Sequence, residues 1–383
     1  MVNRRSVLAG TLAIGATTMI SPRLAFAQAG GYRNVLFILL RGGADGLEML
    51  APSGDPGLTR LRPRWQAGFD GALPAGGDFM INPALAQIGG GYEAGETLFV
   101  HATATSYRER SHFDGQNMLE TGGPQPYVTK DGWLNRLAGM LAPADAKALA
   151  ITPTLPLALR GSAPASNYAP SALPEASEDF LKRVGNLYAD DELLAGVWQA
   201  ALETQEMAGD SDLRNLRDAK ATGELAASLM KGPGGARIGM VELNGWDSHA
   251  GQVGRFRRLA GNLDGFVGAY RDGLGEAWDD TLVLVATEFG RTARMNGTNG
   301  TDHGTASAAI VMGGSVKGGR VIADWPGLRD GDLMGNRDLK PTTSLESVLA
   351  GAAAEHLGLD PELAMRTLFP GRDGRALGGL VRT

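Results

Sequence analysis

The stretch that decides the fold is Asn34–Leu40, NVLFILL, which is followed directly by Arg41 and the pair Gly42-Gly43. A continuous apolar run that ends at flexible glycines is typical of a strand buried on both faces of a parallel sheet. Further candidate strands, the last two of them weaker, are Arg237–Leu243, Thr281–Thr287, Ala308–Met312, Thr97–His101 and Ala148–Thr152. Between two of these, Gln252–Trp278 has apolar residues at helical spacing. The sequence therefore predicts an α/β fold with a doubly wound, mostly parallel sheet sandwiched by helices.

Length and composition indicate a folded globular chain. The 383 residues include 56 Gly, 19 Pro and no Cys, and the formal net charge is −6. The glycines follow no three-residue repeat, so neither collagen nor disorder fits. Mild acidity without a basic patch argues against a nucleic-acid partner, and the lack of Cys excludes thiolate metal ligands. We expect one domain over residues 28–383, with a helical insertion at about 175–231.

The first 27 residues are predicted to be a twin-arginine signal peptide. Arg4 and Arg5 precede the weakly apolar Ser6–Ile20, and Ala25-Phe26-Ala27 offers the small residues that a signal peptidase prefers. An ordinary Sec signal is the alternative. The twin-arginine export machinery carries folded proteins, so we expect a periplasmic or secreted protein. The sequence contains no run of about 18 apolar residues, so no membrane span is expected.

Polar side chains follow the predicted strands where a doubly wound sheet collects its ligands. They include Arg41, Asp45, Asp247, His249, Glu288, Arg291, Asp302 and His303. Carboxylates and imidazoles at one sheet edge are the ligands of a divalent metal of the Zn or Mn kind. An Asp after a strand can equally cap a helix or turn. The sequence predicts one divalent metal, Zn, Mn or Ca, with candidate ligands Asp45, Asp247, His249, Glu288, Asp302 and His303.

A second polar cluster lies in Ser106–Gly122. Ser111 precedes a predicted short helix, where it could serve as a nucleophile of lowered pKa or simply cap the helix. Arg108 and Arg110 suit an anionic phosphate or sulfate group, unless they lie in a solvated surface loop. The candidate substrate-binding residues are Arg108, Arg110, Asp114 and Arg291.

Five motifs carry a resemblance to a known family: RGGADG, SHFDGQ, GWDSH, TEFGRT and TDHG. The mature chain resembles the exported bacterial family called domain of unknown function 1501, within the alkaline phosphatase and sulfatase superfamily. The resemblance implies an alkaline phosphatase-like fold and places Ser111 at the position of the nucleophile. It also implies two departures from the superfamily. Arg41 stands where an Asp ligand usually follows the first strand, and Phe289 replaces a ligand-capable side chain.

Two functions from different classes follow. The first is a metal-assisted hydrolase of an anionic phosphate or sulfate ester, with Ser111 attacking and Arg41 replacing the cation of an incomplete second metal site. In it the metal is held by Asp247, His249 and either Asp302 or His303, and His112 protonates the leaving group. The alternative is a non-catalytic binding or assembly protein for an exported complex or a cell-envelope polysaccharide, on a degenerate sulfatase-like fold.

Overall fold

A computed structural model describes residues 32–143, 145–170, 177–208 and 216–382. The predicted signal peptide, residues 1–27, lies outside the described residues. The strands are β1 Asn34–Arg41, β2 Leu50–Ala51, β3 Leu73–Ala75, β4 Phe79–Ile81, β5 Thr97–Ala104, β6 Ala148–Ile151, β7 Ala165–Tyr168, β8 Ile238–Asn244, β9 Thr281–Ala286, β10 Ser307–Met312, β11 Arg320–Ile322 and β12 Thr343–Ser344. The helices are α1 Gly46–Met49, α2 Pro56–Leu61, α3 Ala86–Glu93, α4 His112–Thr121, α5 Trp133–Gly139, α6 Glu178–Tyr188, α7 Glu192–Ala208, α8 Ala219–Met230, α9 Gln252–Leu274, α10 Leu345–Leu357 and α11 Pro361–Leu368.

A mixed, mostly parallel sheet forms the centre of the protein, as the sequence predicts. Its order is β11-β5-β10-β9-β1-β8-β6-β7, with β12 also beside β5. β1 lies in the middle and pairs in parallel with both β8 and β9. A smaller sheet of β2, β4 and β3 lies apart from it. The polar residues that follow β1, β8 and β9 are therefore brought to one edge.

The predicted strand Ala308–Met312 is present as β10, but it does not share the parallel pairing of its neighbours, because it pairs antiparallel with both β9 and β5. The connection from β9 to β10 contains no helix, and a parallel neighbour would need a longer crossover, usually helical. The reversal matters for the site. The loop that enters β10 lies at the edge where β1, β8 and β9 end.

Helices cover both faces of the sheet, which explains why every position of Val35–Leu40 in β1 is apolar. Val35, Phe37 and Leu39 face a layer that includes α5, α10 and α11. Leu36, Ile38 and Leu40 face the opposite layer, which includes α3, α8 and α9. Alternate side chains of a strand point to opposite faces, so a strand covered on both sides needs apolar residues at every position.

The helical expectations also have counterparts in the structure. Gln252–Trp278 forms α9 and the 3-10 turn that follows it. The described part of residues 175–231 is mainly helical, in α6, α7 and α8, and α8 buries Leu225 and Leu229 in the core. None of the helices in the described ranges combines the length and apolarity that crossing a bilayer requires.

Candidate metal centre

Three chain segments bring imidazoles and a carboxylate together at the edge where β1, β8 and β9 end. His112 begins α4, and Asp247 and His249 follow β8. His303 lies in the loop that enters β10. We call His112, Asp247, His249 and His303 the histidine cluster.

The side chains of this cluster point their donor atoms at one another. The Nε2 atom of His303 lies 3.0 Å from Nε2 of His112 and 3.1 Å from Nε2 of His249. Asp247 Oδ1 lies 2.9 Å from Nε2 of His249, 3.2 Å from Nε2 of His303 and 3.5 Å from Nε2 of His112. Ligand atoms of His112, Asp247 and His303 all fall within 4.8 Å of one another, and His249 contacts two of the three. Such a set can converge on one cation.

The second nitrogen of each imidazole has its own acceptor. His112 Nδ1 lies 2.8 Å from Glu288, His303 Nδ1 lies 2.9 Å from the carbonyl of Arg110, and His249 Nδ1 lies 3.2 Å from Asp302. An acceptor at Nδ1 places the proton of a neutral imidazole there and leaves the lone pair on Nε2. Three lone pairs and one carboxylate oxygen facing a common point fit a divalent cation of the zinc class.

Glu288, a ligand candidate in the sequence, contacts His112 of the histidine cluster. Its buried carboxylate accepts hydrogen bonds from the Gly42 amide and the Gln116 side chain, both at 2.9 Å, as well as from His112. Burial alone would raise the pKa of Glu288, but these hydrogen bonds outweigh it and lower the pKa. The ionised Glu288 in turn raises the pKa of His112 and fixes the orientation of its ring.

Asp247 is kept ionised by a buried arginine. Arg291 Nη1 lies 2.7 Å from Asp247 Oδ1. Burial acts to raise the pKa of Asp247, but Arg291 and the neighbouring imidazoles lower it below its usual value. The pKa of His303 is lowered, first by burial, with the charge of His112 also contributing. These shifts favour an anionic Asp247 and a neutral His303, the forms of the two side chains that bind metal.

The close approach of two backbone segments assembles this edge. Gly42 has φ +119°, and a Cβ on it would lie 2.5 Å from the Asp247 backbone nitrogen. Only glycine lets the end of β1 pass so near to the segment that carries Asp247.

The chain matches one known family over most of its length. Residues 101–368 match the profile of the family described as "Protein of unknown function (DUF1501)". The chain belongs to this family. The family resemblance predicted from the five motifs is confirmed, and four of the motifs lie within the matched range. No curated protein matches the chain.

Several solved structures resemble this DUF1501 member in fold. Phosphonate monoester hydrolase SpPMH from Silicibacter pomeroyi is 13% identical to this chain, with a TM-score of 0.40. The match covers 90% of this chain and 76% of the hydrolase. The PsFucS1 sulfatase from Pseudoalteromonas sp. is 13% identical, with 91% and 72% coverage and a TM-score of 0.38. The C-terminal periplasmic domain of EcEptC from Escherichia coli, in complex with Zn, is 9% identical, with 75% and 74% coverage and a TM-score of 0.36. These similarities are low, since all three TM-scores lie below 0.5.

Arg41 does not face the histidine cluster of this DUF1501 protein as a free cation. Its guanidinium donates to Gln116 at 2.7 Å, to Glu120 at 2.8 Å and to Glu242 at 2.5 Å. Two carboxylates thus neutralise the charge that was expected to replace a second metal. Arg41 reaches the cluster indirectly, because Gln116 also donates to Glu288.

Asp45 and Asp302, two further ligand candidates, have other hydrogen-bond partners in the structure. Asp45 is buried, caps α1 by accepting from the Leu47 amide at 3.0 Å, and pairs with Arg62 at 2.8 Å. Its carboxylate therefore lies in a separate buried ion pair. The Asp302 side chain is half exposed. It accepts from His249 Nδ1, the nitrogen that faces away from the cluster, and from Asn296 at 3.1 Å.

Of the four substrate-binding candidates, one contacts the histidine cluster with its side chain and the side chains of the other three have other partners. Arg291 lies in the cluster, where it pairs with Asp247. Arg110 donates from Nε and Nη2 to Asp338 Oδ2 at 2.9 and 2.7 Å, and its backbone carbonyl contacts His303 Nδ1. Asp114 accepts from the hydroxyls of Tyr107 and Tyr127 at 3.2 and 2.8 Å. Arg108 lies on the other side of the segment and donates to two backbone carbonyls, those of Thr105 and Tyr107.

Ser111 caps α4, and its Oγ accepts from the Asp114 amide at a long 3.5 Å. Its hydroxyl is thus only loosely held, at the residue that directly precedes His112. Capping, one of the two roles left open by the sequence, is therefore present.

Sequence reasoning assigned His112 a proton-transfer role and missed its place among the inward-facing nitrogens. It also missed Gln116, which lies four residues further along α4. Residues at i and i+4 share one face of a helix, and here both contact Glu288. That spacing within SHFDGQ was the available signal. Phe289, which stands where the superfamily resemblance implies a ligand, packs against two rings of the cluster. Its ring centroid lies 4.8 Å from that of His112 and 5.2 Å from that of His303.

Proposed function

We propose that this chain is a metal-dependent hydrolase of phosphate or sulfate esters whose histidine cluster holds one divalent cation, of the Zn or Mn class. The observation that carries the proposal is that the Nδ1 atoms of His112, His249 and His303 each contact an acceptor outside the cluster. In the neutral imidazoles this arrangement places three Nε2 lone pairs and Asp247 Oδ1 close together. Neutral nitrogens at such distances repel one another unless a cation or proton lies between them.

The surroundings of the cluster suit an anionic ester. A bound divalent cation supplies Lewis-acid polarisation of a phosphoryl or sulfuryl oxygen. Asp247 is the one anionic donor among the four side chains, so its charge does not cancel that of a divalent ion. Arg291 adds a fixed positive charge at 2.7 Å from Asp247. The side chains of Asp247 and His249 are 42% and 47% exposed, so a substrate can reach them from solvent.

Ser111 is the proposed nucleophile. Its Oγ lies at the N-terminus of α4, where the helix dipole favours negative charge, and is adjacent in sequence to His112. Its oxygen bonds to the phosphorus or sulfur, the ester oxygen departs, and solvent takes up the serine proton and protonates the leaving group. Water then hydrolyses the seryl ester and regenerates Ser111. His112 serves to hold the metal, because its Nε2 points into the cluster and Nδ1 is held by Glu288.

The twin-arginine route remains part of the proposal. The Arg4-Arg5 pair and the weakly apolar stretch after it support that route, which suits a protein that folds around a metal before export.

One observation favours the alternative, a binding or assembly protein for cell-envelope polysaccharide. Arg41 has its charge neutralised by Glu120 and Glu242, so it supplies no second cation for catalysis. A single metal would then serve binding or structure alone.

The first test is metal content by mass spectrometry, on protein purified from the periplasm without chelator. We expect about one Zn or Mn per chain, and loss of that metal in Asp247→Asn. Asp330→Asn is the matched control, since Asp330 is an exposed carboxylate far in sequence from the cluster. Absence of metal from the wild type would contradict the proposal.

The second test is turnover of p-nitrophenyl phosphate and p-nitrophenyl sulfate by the metal-loaded protein. Ser111→Ala should reduce kcat by about 1000-fold or more, because the covalent route is lost. Ser177→Ala removes another helix-capping hydroxyl, at the start of α6, and should leave kcat unchanged. Metal bound without turnover of either ester would favour the binding protein, and equal activity in Ser111→Ala would exclude Ser111 as nucleophile.

A further inference from the structure

A second polar pocket lies on the other side of the segment that carries Ser111. It has a volume of about 260 Å³ and is formed by the segment around Arg108, the start of α10 and the loop that carries Arg372. Arg110 directs its carbonyl to the histidine cluster, whereas Arg108, two residues earlier, lines this pocket. The two sites therefore share one short segment, but no side chain of the histidine cluster lines this pocket.

Arg108 is a half-buried cation without a carboxylate partner. Its hydrogen bonds go to the carbonyls of Thr105 and Tyr107, and across the described ranges no Asp or Glu oxygen lies within 4 Å of it. Burial lowers the pKa of Arg108, the charge of Glu346 raises it, and the charge of Arg372 lowers it further. A guanidinium removed from water is costly unless it is paired, so an additional anion would be stabilised here.

Arg372 contributes a second, incompletely paired guanidinium. It donates to Ser106 Oγ and to the Gly123 carbonyl, but its buried Nε has no hydrogen-bond partner. Glu346 Oε1 lies 3.7 Å from that nitrogen, beyond hydrogen-bond distance. Unsatisfied buried donors are rare in folded proteins, and a bound ion or ligand often supplies the missing acceptor.

Hydroxyl groups complete the lining. Thr105, Thr342 and Thr343 all face the pocket, and the buried Oγ1 of Thr342 also lacks a partner. Two acids line the pocket as well, Glu346 and the exposed Asp373. Glu346 accepts from the Ser106 amide at 3.2 Å and from Ser344 at 2.9 Å, so its charge is already hydrogen-bonded. Mixed donors, acceptors and hydroxyls around two arginines suit a hydroxylated ligand with an anionic group.

We propose that this pocket binds an oxyanion, a phosphate or sulfate group, either free or carried on a sugar. The fork of Arg108 would contact the oxyanion, as guanidinium groups do with phosphate and sulfate oxygens. Arg372 Nε and Thr342 Oγ1 would gain the partner that each lacks. The site is separate from the histidine cluster and does not depend on the proposed hydrolase activity.

Calorimetric titration at constant ionic strength tests the site, with inorganic phosphate, inorganic sulfate, glucose 6-phosphate and glucose as probes. The titrations use the full chain carrying Asp247→Asn, which removes binding at the metal centre. We expect saturable binding of at least one oxyanion and a fall in its affinity of about tenfold or more in Arg108→Gln. Arg366→Gln, which removes an exposed arginine on α11, should leave the affinity unchanged. Tighter binding of glucose 6-phosphate than of phosphate would identify a sugar-borne group.

Thr342→Val provides a second variant that does not depend on removing a charge. Because the hydroxyl has no partner, its replacement by a methyl should not destabilise the free protein, yet it should weaken oxyanion binding several-fold. No saturable oxyanion binding, binding of glucose alone, or affinities equal in wild type and Arg108→Gln would overturn the proposal. None of these results would bear on ester hydrolysis at Ser111, so the two proposals fail separately.

Discussion

The Nε2 atoms of His112 and His303 lie 3.0 Å apart, and each ring is held from behind, by Glu288 and by the carbonyl of Arg110. Neither ring can turn away without losing a hydrogen bond to its Nδ1. Two Nε2 lone pairs at this distance would repel each other, and a cation between them would remove that repulsion. The stability of the folded chain is therefore expected to depend on metal.

Removing the metal should lower the melting temperature. A ligand present at 100 times its Kd stabilises a protein by about 2.7 kcal/mol, which amounts to several degrees in Tm for a chain of this size. Dialysis against a chelator should produce that decrease in the wild type, and adding back Zn²⁺ should reverse it. Asp247→Asn should show neither effect in differential scanning calorimetry. A wild-type Tm that is insensitive to chelator would contradict metal binding at the cluster.

The contact between His249 and Asp302 predicts an effect on affinity without an effect on fold. Asp302 is about half exposed, so Asp302→Ala should change the free energy of unfolding by less than about 0.5 kcal/mol. It removes the acceptor at Nδ1 of His249, and the loss of such an acceptor typically weakens metal affinity by about tenfold or more. Competition with a chromophoric chelator measures that affinity, and Asp330→Ala serves as the control. Unchanged affinity would show that His249 does not bind the metal.

Gly42 allows a third prediction, on the assembly of the site. Gly42→Ala places a Cβ 2.5 Å from the Asp247 nitrogen in a residue with φ +119°. We therefore expect the free energy of unfolding to fall by roughly 3 kcal/mol and the bound metal to be lost. Gly261→Ala in α9 meets nothing within 4 Å and should stabilise the helix by roughly 0.5 to 1 kcal/mol. Urea denaturation measures both changes. A stable, metal-binding Gly42→Ala protein would mean that the two segments can separate without cost.

The sheet was predictable because burial on both faces of a strand leaves a continuous apolar run, as in β1, and α9 was predictable from its apolar period. The direction of β10 was not predictable from its own residues, because such a run is the same in either direction. The signal lay in the connection from β9, which lacks a helical period. Direction decides the site here, since it brings His303 to the same edge as Asp247.

The site was predictable only in part, for a related physical reason. Residues that directly follow parallel strands meet at one edge, so Asp247 and His249 could be grouped from the sequence. Charge pairs between distant segments leave no local signal, and these pairs decide which side chains remain available. Arg41 is occupied by Glu242, 201 positions away, and Asp45 by Arg62.

Glu48 gives the last prediction, on pH. Its carboxyl is buried 3.6 Å from Arg62, and burial raises its pKa to about 7, with Arg62 opposing the rise and Asp45 adding to it. Because this folded pKa lies above the ordinary value, the folded chain binds the proton more tightly than the unfolded chain does. The stability due to the protonated carboxyl is complete below about pH 4.5 and is lost as the pH rises through about 7.

Glu48→Gln keeps the shape but cannot ionise, so it should raise Tm at pH 8 relative to wild type and change it little at pH 4.5. The difference between the two proteins should change by roughly 3 kcal/mol between those pH values. Calorimetry at both pH values measures it, and comparison with wild type at each pH cancels the titration of all other groups. Glu362→Gln on the exposed face of α11 should shift Tm at neither pH. A difference between wild type and Glu48→Gln that is constant with pH would show that Glu48 is ionised throughout, with Arg62 outweighing its burial.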